Sequence, residues 1–241
     1  MDIVYILGRG SKWQNNELRF SLRSIVKNFR HGKVWIIGEF PKWLRNCEHV
    51  AALDPYDNKL SNAIFKIRTA CRTPEISERF VLMNDDFYFL RKIDSIQAFT
   101  LGTMSKAILE HKTQAGYYFH AFRETRNLLQ AAGHQEPANY EVHYPIVFEK
   151  KKFLAATDAL EWETTLCLFR SIYGNTFNIG NKKRIDTKVY DISELSKLTE
   201  GDLLSSSDRV VLRPKFQKFI YEKFPDPSQY EDPKSDPGKL P

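Results

Sequence analysis

The sequence lacks several features that would place it in a common class. It has three cysteines in 241 residues and no Cys-x-x-Cys pair. This argues against a disulfide framework or a cysteine zinc site and fits a reducing compartment. No apolar run approaches the ~18 residues of a membrane-spanning helix. The N-terminus has no basic segment typical of a signal peptide. We therefore expect a cytoplasmic protein.

Motifs of several enzyme classes are also absent. The sequence contains no Gly-x-x-x-x-Gly-Lys-Ser/Thr motif, and Gly8-x-Gly10 lacks the third glycine of a dinucleotide fingerprint. No Gly-x-Ser-x-Gly elbow is present. The six histidines show no His-x-x-x-His spacing. These absences argue against P-loop kinases, dinucleotide-binding enzymes and histidine metal sites.

Charge of one sign never accumulates in a block. The 36 Lys and Arg residues outnumber the 30 Asp and Glu residues, for a net charge of +6. This excess favours anionic partners such as phosphates, nucleotides or the anionic inner membrane face, where contact would be peripheral. Without a run of five or six like charges, nucleic-acid binding is poorly supported. A basic soluble protein with no such partner is the alternative.

What the sequence does contain is an alternation of strand-like and helix-like segments. Apolar spacing predicts short strands over residues 3–7, 34–37, 50–53 and 80–83, and helices over residues 15–29 and 60–71. Helices are also predicted over residues 105–111, 122–132, 154–173 and 209–224, with an extended piece within 142–153. We predict an α/β fold, with a mostly parallel sheet flanked by helices and a helical insertion in the second half. Residues 1–231 would form one domain, and the proline-rich residues 232–241 a disordered tail.

The segment Asn84-Asp85-Asp86 directly follows the apolar strand predicted at residues 80–83. In open α/β sheets, ligands bind in the crevice beyond the carboxyl ends of the strands. Carboxylate oxygens in that position suit Mg²⁺ or Mn²⁺ shared with substrate phosphates. An ordinary turn or helix cap is the alternative interpretation.

Two arginines and one histidine complete the candidate site. Arg19 and Arg23 are four residues apart, so they share one face near a helix N-terminus and could clamp a phosphate. Asn15 or Asn16 could cap that helix. Solvated arginines, or salt bridges to nearby acids, are the alternative. His143, in the apolar stretch "YEVHYPIVF", could accept a proton near neutral pH, or could be purely structural.

Taken together, five segments resemble the conserved regions of the Stealth family. They are "NNELRFSLRSIVKNF", "VWIIGEFPKWL", "SNAIFKIRTACRTPEISERFVLMNDDFYFL", "VHYPIVFEKKKF" and "FPDPSQYE". Stealth proteins are hexose-1-phosphate transferases. They include capsular polysaccharide phosphotransferases and the catalytic core of N-acetylglucosamine-1-phosphotransferase. The opening "DIVYILGRGSKW" departs from the family, because it lacks the Trp-Val-Asn-Gly-type segment common there.

The resemblance implies a glycosyltransferase-A-like fold, a Mg²⁺ or Mn²⁺ cofactor, a nucleotide-sugar donor such as a UDP-N-acetylhexosamine, and a glycan acceptor. It implies transfer of hexose-1-phosphate to a sugar hydroxyl with release of UMP. The residues that it implies have three roles. They are the catalytic His143, Asp86 and Arg170, the substrate-binding Arg19, Arg23, Asn16 and Asn84, and the metal ligands Asp85, Asp86 and Asp208.

Two other functions remain open at this stage. An ordinary glycosyltransferase would use the same donor but transfer the sugar alone and release UDP. A non-catalytic protein that binds nucleic acid or lipid through its basic surface would use the aspartates as caps and the arginines as surface groups.

Overall fold

The computed structural model describes residues 1–110, 116–198 and 200–235. The strands are β1 (Asp2–Leu7), β2 (Val34–Gly38), β3 (Glu48–Val50), β4 (Arg79–Met83), β5 (Phe87–Phe89), β6 (Phe99–Thr100), β7 (Ile146–Glu149), β8 (Lys182–Lys183), β9 (Lys188–Val189) and β10 (Leu203–Ser206). The α-helices are α1 (Asn16–Asn28), α2 (Lys59–Arg72), α3 (Met104–Glu110), α4 (Tyr117–Ala131), α5 (Lys150–Asp158), α6 (Phe169–Phe177), α7 (Leu195–Leu198), α8 (Asp208–Val211) and α9 (Pro214–Lys223).

A five-stranded sheet in the order β3-β2-β1-β4-β7 forms the centre of the molecule. Neighbouring strands are parallel from β3 to β4, whereas β7 runs antiparallel to β4. The prediction of a mostly parallel α/β sheet is therefore confirmed. From β1 the chain builds outward through β2 and β3, and then returns to place β4 on the other side of β1. The order of the strands thus reverses between β1 and β4.

Both faces of the central sheet are covered, because successive side chains of a strand point to opposite faces. Ile3 and Tyr5 of β1 pack with α1, in a core that includes Leu18 and Leu22. Val4 packs on the other face, in a core built with α2, α5 and α6. This accounts for the near-continuous apolar runs of the strands in the sequence.

A smaller sheet in the order β5-β10-β9 continues from the carboxyl end of β4. Helix α1 holds β5 in place with a polar stripe of Ser21, Ser24 and Asn28. Ser21 Oγ donates to the carbonyl of Phe87 at 2.7 Å, and Asn28 Nδ2 donates to the carbonyl of Phe89 at 2.6 Å. Ser24 Oγ accepts from the amide of Phe89 at 3.1 Å. The strand that follows the short turn after β4 is therefore fixed to α1.

Two of the predicted helices are each split in the structure. Residues 154–173 contain the end of α5 and the start of α6, separated by a non-helical segment. Residues 209–224 contain most of α8 and all of α9, and Pro214 begins the second of these helices. A proline is favoured at the first position of a helix and disfavoured in its interior. The helical insertion itself is present as α3 and α4, and residue 111 of the predicted helix lies outside the described residues.

The C-terminal segment still contacts the rest of the domain at Asp232, the residue after Glu231. The amide of Asp232, where we predicted a disordered tail to begin, donates to the carbonyl of Trp43 at 2.7 Å. Its carboxylate also lies 2.7 Å from Arg45 Nη2. Residues 236–241 of the predicted tail lie outside the described part of the chain. Within the described ranges, no helix is both long enough and apolar enough to cross a membrane.

Candidate functional site

The reversal of strand order between β1 and β4 marks the candidate site. In open α/β sheets, ligands bind at such a point, beyond the carboxyl ends of the strands. Residues 8–11 follow β1 and residues 84–86 follow the neighbouring parallel strand β4, so both segments lie at the same edge of the sheet, and we call this region the crevice. The predicted acidic segment therefore lies at the edge of the sheet where a ligand is expected.

Asp86 is held by two donors from the smaller sheet. Its Oδ2 atom accepts from Lys188 Nζ at 3.0 Å and from Ser205 Oγ at 2.9 Å. Lys188 and Ser205 lie directly opposite each other in the parallel pair of β9 and β10. Asp86 is thus fixed by a cross-strand pair.

Asp85 and Glu17 are two further carboxylates close enough to Asp86 to interact with its charge. Burial, together with the charges of Asp86 and Glu17, raises the pKa of Asp85 to about 7. Burial first, then Asp208 and Asp86, raises the pKa of Glu17 even though Ser11 Oγ donates to its carboxylate at 2.8 Å. Lys188 offsets only part of the negative charge of these three carboxylates, so a bound cation would be stabilised in the crevice.

Arg170 lies behind the acidic turn and is almost fully buried. Its Nη1 atom donates to the carbonyl of Tyr144 at 2.6 Å, and its Nη2 atom donates to Asn84 Oδ1 at 3.4 Å. Burial lowers the pKa of Arg170, and the charges of Glu141 and Asp86 oppose this shift. The structure therefore brings together two of the predicted residues, Arg170 and Asn84.

His143 is paired with Asp186, a residue that was not among the predicted site residues. The Nδ1 atom of His143 lies 2.8 Å from Asp186 Oδ2, and its backbone amide donates to Oδ1 at 2.9 Å. Burial alone would raise the pKa of Asp186, but these hydrogen bonds and the charge of His143 hold it below its usual value. The pairing orients the ring and leaves Nε2 directed away from Asp186.

An extended segment presents three side chains to the crevice at alternate positions. Asp186 contacts His143, Lys188 contacts Asp86, and the ring of Tyr190 lies 6.4 Å from the ring of His143. Because side chains alternate in an extended chain, the intervening residues point inward. Val189, for example, is fully buried.

The predicted metal ligands fit a divalent cation only in part. Asp85 and Asp86 are adjacent at the crevice, and Mg²⁺ commonly binds one or two carboxylates and completes its shell with waters and substrate phosphates. Asp208, by contrast, is exposed in the first turn of α8. Among the described residues, no group of three His, Cys, Asp or Glu side chains is arranged to hold a metal ion. The predicted set of three aspartates is therefore not assembled, because Asp208 does not join Asp85 and Asp86, and these two stay predicted ligands.

The predicted phosphate clamp of Arg19 and Arg23 is replaced by a buried ion pair with Glu231. Arg23 donates from Nε to Oε1 at 2.8 Å and from Nη2 to Oε2 at 2.7 Å. Arg19 donates from Nη1 to Oε2 at 2.8 Å and stacks on the ring of Trp43 at 4.1 Å. Their guanidinium groups are committed to the C-terminal segment, as the alternative of a salt bridge to an acid anticipated.

Asn16, predicted to bind substrate, belongs to the same buried cluster. Its Oδ1 atom accepts from Arg19 Nε at 3.1 Å. The helix is preceded by Asn15 in a left-handed conformation, with no side-chain cap. Asn16 therefore orients an arginine and does not cap the helix.

The sequence did contain a signal for three residues that were not predicted. In "RIDTKVYD", Asp186, Lys188 and Tyr190 occur at every second position around the apolar Val189. Alternation with period 2 indicates a strand with one polar face. The strand β9 is only two residues long, so it gives no strong strand signal of its own.

Comparison with solved structures identifies glycosyltransferases as structural neighbours. The galactosyltransferase LgtC, solved in complex with donor and acceptor sugar analogs, aligns with a TM-score of 0.51 at 10% identity, covering 95% of this chain and 98% of LgtC. An active-site mutant of LgtC gives a TM-score of 0.52 at 9% identity over the same shares. Mouse xyloside xylosyltransferase 1 gives 0.41 at 7% identity, covering 85% of this chain and 97% of that enzyme.

At such low identity, the likeness to LgtC shows the fold, which is glycosyltransferase-A-like, as predicted. No family model matches the sequence, and no curated protein matches it.

Proposed function

We propose that the protein transfers a hexose-1-phosphate from a nucleotide sugar to a sugar hydroxyl of a polysaccharide and releases UMP, with a UDP-N-acetylhexosamine as the donor. The observation that carries the proposal is the convergence of the Asp85-Asp86 turn, Arg170 and the His143–Asp186 pair around one sheet edge. The Stealth-like segments and the fold shared with LgtC, whose structure contains donor and acceptor sugar analogs, support it.

Donor binding falls to the acidic turn and its neighbours. Asp85 and Asp86 would hold Mg²⁺ or Mn²⁺, which when bound neutralises charge on the diphosphate. Arg170 donates to Asn84 Oδ1, so the amide nitrogen of Asn84 can donate to the donor. Arg170 is therefore a positioning residue that also contributes positive potential behind the site.

His143 would act as the general base. The acceptor hydroxyl oxygen attacks the β-phosphorus, while its proton passes to Nε2 of His143. The bond between the β-phosphorus and the bridging oxygen breaks, and UMP leaves with that oxygen and its electron pair. The product carries the hexose through a phosphodiester. Asp186 holds the ring and stabilises the imidazolium that forms.

The nucleotide product separates this reaction from ordinary glycosyl transfer, which the likeness to LgtC favours as the second candidate. The protein is incubated with UDP-N-acetylglucosamine labelled at the β-phosphate, Mg²⁺ and an acceptor glycan. Release of UMP with label in the glycan supports the proposal. Release of UDP with an unlabelled glycan supports the alternative. If neither sugar nor label is transferred from any of a panel of nucleotide sugars to any of a panel of acceptors, the result would favour a non-catalytic protein.

The same proposal places the reaction in the cytoplasm, next to the anionic inner face of the membrane, in capsule polysaccharide synthesis. Cys47, Cys71 and Cys167 are free cysteines, which supports a reducing compartment. The net charge of +6 supports peripheral contact with anionic lipid. A sedimentation assay with vesicles of phosphatidylglycerol, compared with neutral phosphatidylcholine, tests that contact directly.

A further inference from the structure

The ammonium group of Lys188 occupies a position beside Asp86 that a bound cation would otherwise share. It lies 3.0 Å from Oδ2, and the side chains of Lys188 and Asp86 are only 19% and 15% exposed. Within the described residues, the carboxylates Glu17, Asp85 and Asp86 make a single ion pair, which joins Asp86 to Lys188. The chain thus supplies a positive charge of its own to an acidic crevice.

The position of Lys188 is set by strand register and not by chance contact of a flexible side chain. Lys188 lies opposite Ser205, and both donate to the same oxygen of Asp86. The backbone amide of Ser206 also donates to the carbonyl of Asp86, at 3.3 Å. Because two strands and the acidic turn are tied together, the ammonium group is pre-positioned before any ligand arrives.

The hydrogen bonds of this pair are only partly used. A lysine ammonium has three N–H donors, and Asp86 Oδ2 accepts one of them. Among the described residues, the other two find no acceptor, and Asp86 Oδ1 finds no donor. The pair therefore offers donors for phosphate oxygens beside a carboxylate oxygen for a cation, which matches a diphosphate with its metal ion.

We propose that Lys188 is a donor-binding residue whose ammonium group contacts the diphosphate of the nucleotide sugar, so that the diphosphate binds measurably without a divalent cation. The proposal rests on the proposed function for the identity of the ligand. It requires only that a diphosphate enters the crevice, and it holds whether the product is UMP or UDP. A charge-assisted hydrogen bond of this kind corresponds to about 10-fold to 100-fold in affinity.

The test is calorimetric titration with UDP and with inorganic pyrophosphate, each in EDTA and in Mg²⁺. Wild-type protein is expected to bind both probes in EDTA, and Lys188→Met to bind them at least about tenfold more weakly. Lys188→Arg, which keeps the charge, should retain most of the affinity. Lys182→Met removes an exposed lysine from β8 and should bind like wild type.

Several outcomes would overturn the proposal. Wild-type protein that binds neither probe in EDTA overturns it whatever the variants do, including the case in which Lys188→Met fails to fold. Equal affinity of wild type and a folded Lys188→Met in EDTA also overturns it. If pyrophosphate binding depends on Lys188 but the protein transfers no sugar phosphate, the phosphate contact is confirmed and only the proposed function is wrong.

Discussion

His143 and Asp186 form a bidentate pair across 43 residues of sequence, in which the same carboxylate binds both the ring and the backbone amide of the histidine. We expect His143→Ala to lower kcat by ~10²–10⁴, the usual contribution of general-base catalysis. Asp186→Asn should also lower kcat, because the charge that holds the productive tautomer and stabilises the imidazolium is lost. Donor affinity, measured by titration with UDP, should change little in either variant.

The control for this pair is His120→Ala, which removes an exposed histidine from α4. Its rate of nucleotide release should equal that of wild type. A His143→Ala variant with wild-type kcat would exclude His143 as the base.

The buried charge cluster of α1 gives a stability prediction. Glu231 is 1% exposed and pairs with both Arg19 and Arg23. Glu231→Gln should therefore lower the free energy of unfolding by about 3–5 kcal/mol, because two guanidinium groups stay buried without their counter-charge. Chemical denaturation followed by circular dichroism measures the loss.

A matched variant is Glu222→Gln, whose exposed pair with Lys218 spans 3.9 Å. It should cost between about 0 and 1 kcal/mol. Equal effects of the two substitutions would show that the buried cluster contributes nothing beyond a surface pair.

The same glutamate predicts an acid sensitivity. Burial would raise the pKa of Glu231, but hydrogen bonds from Arg23, the backbone of Ser228 and Arg19 offset this and hold it below its ordinary value of 4.5. A group with a lowered pKa stabilises the fold fully above its unfolded-state pKa and loses that contribution as the pH falls through the folded-state pKa. The stability difference between wild type and Glu231→Gln should be constant near neutral pH and shrink below 4.5. Unfolding curves that kept the full difference in strong acid would contradict the assignment.

Gly38 gives a prediction about the carboxyl edge of the sheet. Its φ is +119°, and a Cβ atom placed there would lie 2.1 Å from the carbonyl oxygen of Leu7. Gly38→Ala should therefore destabilise the protein by at least about 1–3 kcal/mol, the usual range for such backbone strain. Gly10→Ala, where a Cβ would meet nothing within 4 Å, should be nearly neutral. Thermal unfolding of both variants makes the comparison, and similar melting temperatures would refute it.

The central sheet could be predicted from sequence because its strands and helices carry strong local periodicity. The prediction of one continuous helix over residues 154–173 is wrong, because the segment between α5 and α6 is not helical. There, partners from other elements satisfy the backbone. The amide of Leu166 donates to Glu124 at 2.9 Å and that of Leu168 to Thr125 at 2.9 Å. Such tertiary bonds replace a helical ladder and leave no trace in the local pattern.

For the candidate site, single residues were predictable but their partners were not. Asn84, Asp85 and Asp86 follow a strand that any reader of the sequence would find. The alternation of Asp186 and Lys188 is visible in the sequence, but their partners His143 and Asp86 are distant in the chain and no local pattern reveals them. Arg19 and Arg23 were misassigned because their partner is Glu231, far along the chain.

The cluster of Arg19, Arg23 and Glu231 also governs the order in which the chain can become a finished domain. Its members are separated by 212 and 208 positions. Helix α1 is therefore synthesised well before Glu231, and its two arginines lack their counter-charge until the segment that carries Glu231 has been made. Contacts of such long range slow folding. In a nascent chain that ends before that segment, Arg19 and Arg23 of α1 would lack Glu231 and this face of the helix would stay uncovered. Proteases and chaperones would therefore act on the incomplete chain at α1.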